Sequence, residues 1–146
     1  MDKYDGLSNL YLTVGKILVY FATIEQAMYE TYKVVCPERD YNDDSFDKRF
    51  NKLIGYFDGN SSYESIFELL IMVKSNLDYR HLIAHNPFTF DIYINEESSD
   101  QCIQLTFTNR KDNTNITLDE LQRFAEKLEI LAYELPKKLH EFKNSQ

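Results

Sequence analysis

The stretch Val73-Lys74-Ser75-Asn76-Leu77-Asp78-Tyr79-Arg80-His81-Leu82-Ile83-Ala84-His85-Asn86-Pro87, followed by Phe88-Thr89-Phe90-Asp91-Ile92-Tyr93-Ile94, contains the change of period on which the fold turns. Before it, apolar residues recur every three or four positions: Ile66, Leu69, Leu70, Val73 and Leu77 make one helical stripe. After it they alternate, Phe88, Phe90, Ile92 and Ile94 against Thr89, Asp91, Tyr93 and Asn95. Pro87 stands at the switch, and proline disfavours helical geometry in the residue before it. The pattern predicts a helix over residues 63–86 and a strand from Phe88.

Working towards the C-terminus, Ile103, Leu105 and Phe107 alternate with Cys102, Gln104, Thr106 and Thr108. With the polar stretch Glu96 to Asp100 between, residues 88–108 read as an antiparallel hairpin with one apolar face. Thr117-Leu118-Asp119-Glu120 is a capping box that opens the last helix. That helix runs through Leu121, Phe124, Leu128, Leu131 and Leu135. Pro136 is expected to kink or break it, and Leu139 and Phe142 resume its period.

Towards the N-terminus, Leu7, Leu10, Val14, Ile17, Leu18, Phe21, Met28, Tyr32 and Val35 predict a long amphipathic helix over residues 7–35. Pro37 and the acidic residues from Asp40 to Asp44 end it. A shorter helix over 45–57 buries Phe46, Phe50, Leu53, Ile54 and Phe57, with Asp44 or Ser45 as its cap; Gly55 suggests an earlier end. Asp58-Gly59-Asn60-Ser61-Ser62 is a turn. The expected architecture is all-α: a four-helix up-down bundle in one domain, residues 1–146, with the hairpin inserted before the last helix.

At 146 residues, 43% hydrophobic and 27% charged, the chain suits one globular domain with a real core. Its net charge of -8 opposes unaided, non-specific binding to nucleic acid, which relies on counterion release by a basic surface. Cys36 and Cys102 lack metal-ligand spacing and read as reduced thiols. The N-terminus has no basic segment followed by an apolar core, and apolar runs such as ILVYFATI fall short of a membrane span. A cytoplasmic protein with no membrane association is expected.

The chemistry concentrates in Tyr79 to Pro87, which holds two of the three histidines and an arginine. Arg80 continues the stripe of Val73 and Leu77, and Glu25 continues that of Phe21. A charge on a core-facing stripe needs a partner or a wet cleft, so the two can face each other; alternatively each buries its stem and extends its head to water. His81 and His85 are four apart and project from one side of a helix, whereas Arg80 and His85 lie about 140° apart. Three readings stand. The histidines share a metal, though no glutamate of a metalloprotease helix and no third ligand is evident. All three cap the helix end, where cations are favoured. Or Arg80 and His85 form an anion-binding and acid–base pair.

Arg80, the polar His81, three further residues and His85 resemble the R-polar-x3-H motif of the HEPN superfamily, and Arg-His-Leu-Ile-Ala-His-Asn looks like a form common in its small bacterial members. The long first helix carrying Phe21 to Glu25, the short Phe-rich second helix and the long last helix are similar to that family's helix order. The resemblance implies a metal-independent endoribonuclease, in a toxin–antitoxin or antiviral-defence setting, whose motif copies meet in a homodimer. It implies His85 as acid–base residue, Arg80 as stabiliser of phosphorane charge and His81 as orienting residue; Glu25, Asn86 and Tyr79 are taken as supporting residues, and no cofactor is expected. RNA is the implied substrate and an antitoxin or regulatory protein an implied partner; other members are non-catalytic interaction modules. Lys48, Arg49 and Lys52 read as a solvated face, Arg110 and Lys111 follow the hairpin and can border a groove, and Tyr79, Phe88 and Tyr93 read as packing residues able to stack bases.

Overall fold

The computed structural model describes residues 3–40, 43–86, 88–108 and 113–146; Pro87, Arg110 and Lys111 lie outside them. Among the described residues it has five α-helices and a three-stranded antiparallel sheet: α1 (Lys3–Val35), α2 (Phe46–Phe57), α3 (Glu64–Ser75), α4 (Leu77–His85), β1 (Phe88–Ile94), β2 (Gln101–Thr108), β3 (Asn113–Thr117) and α5 (Leu118–Asn144). This corrects the all-α four-helix bundle with a hairpin insert.

Two local causes account for the difference. The helix expected over 63–86 breaks at Asn76, whose backbone is non-helical at φ −106° and ψ 1°. Asn76 Nδ2 and Ser75 Oγ both donate to the Met72 carbonyl oxygen, at 2.7 and 2.8 Å. Short polar side chains that bond the backbone compete with helical pairing, so Asn76 ends α3 and frees the chain to start α4. The second cause is Asn113-Thr114-Asn115-Ile116-Thr117. It pairs with β2 in the register Leu105↔Ile116 and Phe107↔Thr114, giving the order β1-β2-β3.

Two compact units share the long helices: Met1–Val19 with Leu77–Leu128, and Tyr20–Asn76 with Glu129–Gln146. In the first unit, Leu10, Ile17, Leu77, Ile83, Ile103, Leu105, Phe107, Ile116, Leu121 and Leu128 are buried. Gly6 sits where a Cβ would lie 3.0 Å from Ile103 Cδ1, so α1 and β2 approach closely there. Strand β1 sets Phe88, Phe90 and Ile92 opposite Phe107, Leu105 and Ile103, the one apolar face expected of the hairpin, but its own row stays largely open. Phe88 and Phe90 remain 38% exposed, although their partners Phe107 and Leu105 are fully buried, and Ile94, opposite Gln101, is 68% exposed. An edge strand is covered on one side only, so its row projects past the buried one.

In the second unit, Phe21, Ile24, Met28, Tyr32, Phe50, Leu53, Phe57, Ile66, Leu70, Val73, Leu131, Leu135, Leu139 and Phe142 are buried. Phe57, Tyr63 and Phe142 meet edge to face, with centroids 5.0 to 5.7 Å apart. Ser45 caps α2 by accepting the Lys48 N–H, and the helix passes Gly55 to reach Phe57. Helix α5 is continuous through Pro136, flanked by the fully buried Leu135 and Leu139. Among the described residues one helix segment, Gly6–Val35, is long and apolar enough to cross a membrane by length and composition, a measure that core helices also meet.

Candidate functional site

Helix α4 is nine residues long and carries the whole motif. Its end is built by Asn86, whose Nδ2 donates to the carbonyl oxygens of His81 and Leu82 at 3.3 and 3.2 Å. These are among the last carbonyls of a helix, which otherwise lack partners. The Thr117–Glu120 capping box forms as expected: Thr117 Oγ1 accepts the Glu120 N–H at 3.2 Å, and Glu120 Oε2 accepts the Thr117 N–H at 3.3 Å.

Arg80 Nη1 lies 3.2 Å from His85 Nε2 within one chain. The angular separation on an ideal helix therefore does not keep them apart, because the arginine stem spans the remaining arc. A second subunit is not needed to bring them together. Guanidinium only donates, so His85 Nε2 is the acceptor in this contact. The His81 ring lies over that of His85, with centroids 5.9 Å apart and planes at 26°. His85 is exposed, while His81 and Arg80 are half-buried. The buried positions of α4 are Leu77 and Ile83.

Tyr79 points elsewhere. Its ring stacks on Phe124, centroids 4.6 Å apart, and remains 37% exposed. With Asp78, Leu82, Thr114, Asn115, Ile116 and Glu120 it lines a cleft of about 380 Å³. Glu25 belongs to the second unit. There it is half-buried and lines a small cleft with Met28, Tyr29, Tyr32, Phe46, Arg49 and Leu53. The buried position that follows Phe21 on α1 is Ile24, one residue before Glu25. So Arg80, His81 and His85 come together on α4, Asn86 holds the end of that helix, and Tyr79 serves the neighbouring cleft.

The sequence reading missed Asp44. Its side chain is fully buried and accepts from Tyr32 Oη, from Arg39 Nη1 at 2.8 Å and from Lys52 Nζ at 2.6 Å; Arg49 Nη1 donates to its carbonyl oxygen at 2.5 Å. The hydrogen bonds from Lys52 and Tyr32 and the charge of Arg39 hold the carboxyl well below the usual carboxylate range, against the opposing effect of burial. The same contact with Asp44, assisted by burial, raises the Tyr32 hydroxyl. Lys52 and Arg49 are thus tied to Asp44, not merely solvated. The one signal in the sequence was an aspartate preceding a helix that also carries Lys48, Arg49 and Lys52.

Among the described residues, no three His, Cys, Asp or Glu side chains gather as a metal-ligand set. Compared with protein-family models, with curated proteins and with solved structures, the chain matches none.

Proposed function

We propose that the protein is a metal-independent endoribonuclease of HEPN type, with Arg80 and His85 as its phosphate-gripping and acid–base pair. The observation that carries this reading is the 3.2 Å approach of Arg80 Nη1 to His85 Nε2 on an exposed helix end. An RNA phosphate entering there would draw the guanidinium to itself, since arginine grips phosphate oxygens in a fork. That exchange releases the Nε2 lone pair. His85 then removes the proton of the 2′-hydroxyl, the 2′-oxygen bonds to phosphorus and the bond to the 5′-oxygen breaks. Arg80 stabilises the charge that develops on the phosphorane oxygens. The leaving oxygen takes up a proton from the His85 of a second copy in a homodimer. His81 orients the His85 ring and Asn86 holds the helix end.

The setting that fits is a toxin or antiviral-defence protein of the cytoplasm, restrained by an antitoxin or a regulatory protein. The test is incubation of pure protein with total RNA in EDTA, alongside His85→Ala. Cleavage that survives chelation and disappears in the variant supports the reading; equal inactivity of both proteins defeats it. A second reading is a non-catalytic dimeric module that binds a partner protein or nucleotide. It is favoured by the apolar surface left open in the first unit, Tyr11, Leu12, Leu18 and Val19 on α1 and Phe88, Phe90 and Ile94 on β1.

A further inference from the structure

We propose that the cleft beside α4 is a binding site for a guanidinium group, occupied by an arginine side chain of a basic partner peptide. Its walls are of three kinds. Tyr79 supplies an aromatic platform, backed by Phe124 in a 4.6 Å stack and still 37% exposed. Leu82 and Ile116 supply apolar walls for a methylene stem. Asp78, Glu120, Asn115 and Thr114 supply oxygen acceptors, and among the described residues no lysine or arginine lines the cleft. Its volume of about 380 Å³ lies within the range of sites that enclose small organic groups.

The acceptors are not equivalent. Glu120 is committed through Oε2 to the Thr117 N–H, and Asn115 Oδ1 accepts from Thr106 Oγ1 at 3.0 Å. Asp78 sits exposed in the first turn of α4. A carboxylate matches the paired N–H groups of a guanidinium, and the flat cation stacks on a tyrosine face. The charge argument selects the occupant. Two carboxylates repel a phosphate chain, so a nucleotide is disfavoured here, whereas a cationic side chain gains from them and from a chain of net charge -8. This inference does not depend on Arg80 and His85 cutting RNA.

The experiment measures binding of a labelled tripeptide, acetyl-Gly-Arg-Gly-amide, by fluorescence anisotropy, with lysine and citrulline peptides and guanosine as comparison probes. The expected result is saturable binding of the arginine peptide, at least about tenfold weaker binding of the lysine and citrulline peptides, and a similar loss in Asp78→Asn and in Tyr79→Phe/Asp78→Asn. Thermal melts of the variants verify folding. Unchanged binding by Asp78→Asn, or tighter binding of guanosine than of the arginine peptide, overturns the proposal.

Discussion

Two regions of this molecule bring cations to an acceptor, and they do so to opposite ends. In the second unit Asp44 is fully buried and receives Tyr32, Arg39 and Lys52. In the first unit Arg80 meets an imidazole nitrogen of His85 at an exposed helix end. A buried carboxylate stripped of its partners is costly, so the Asp44 contacts are fixed by the fold. A guanidinium gains more from a charged acceptor than from an imidazole nitrogen. Burial and charge of the acceptor distinguish the two clusters.

The sharpest way to break this contrast is at the exposed pair. His85→Ala is expected to lower RNA cleavage at least about 100-fold while leaving the thermal melt within a few degrees of the parent. Arg80→Lys is expected to lose activity as well, because an ammonium keeps the charge but not the fork. Gel analysis of RNA fragments together with circular-dichroism melts tests both. A large loss of stability in His85→Ala would place this residue with Asp44 as a structural one.

Next comes the buried knot, where the ranking should reverse. Asp44→Ala is expected to lower the melting temperature by about 5–10 °C. The pH dependence has a definite sign. The folded carboxyl titrates below its ordinary value, so its contribution is complete above the unfolded pKa, about 4. It is lost as the pH falls from there through the folded value. The gap between wild type and Asp44→Asn should therefore be widest at neutral pH and should narrow below about pH 4. A constant gap across that range would contradict the assignment.

How much of this was legible in the sequence depends on the range of the forces involved. Strong periodicity was readable: the stripe from Phe46 to Phe57 became α2, and Thr117 with Glu120 closed the capping box as written. The break at Asn76 was not, because the apolar stripe runs past it and two short polar side chains, Ser75 and Asn76, bond the Met72 carbonyl there. The third strand was missed because Thr114 and Ile116 are too few to show alternation; only the β2 edge gives them a role. The motif was visible, but ideal helical angles set Arg80 and His85 apart by ignoring the reach of an arginine. Asp44 read as a cap, since nothing local says that Tyr32, twelve residues earlier, will bury it.

A smaller effect sharpens the contrast from within the first unit. Asn86→Ala removes two hydrogen bonds to the carbonyls of His81 and Leu82 and should cost about 1 kcal/mol. Because that cap fixes the last turn on which His85 sits, cleavage should fall further than the small change in melting explains. Asn86→Gly would loosen the same turn, and Asn86→Gln keeps an amide one methylene longer. A partial return of activity in the glutamine variant marks Asn86 as a positioning residue, whereas equal activity in all three limits it to stability.

The smallest effect belongs to an ion pair on the surface of the second unit, Lys143 Nζ with Glu30 Oε2 at 2.6 Å. The hydrogen bond from Lys143 lowers the Glu30 carboxyl below its usual range, yet Glu30 remains 48% exposed. Water and salt screen such a pair, and holding two long side chains in one geometry costs entropy. Lys143→Ala is accordingly expected to shift the melting temperature by no more than about 2 °C, and less in 0.5 M salt. Set beside Asp44, the pair tests burial directly: both join a lysine to a carboxylate at 2.6 Å, and they differ in how far the carboxylate is removed from water. Comparable losses from Lys143→Ala and Lys52→Ala would mean that distance, not burial, sets the strength of these contacts.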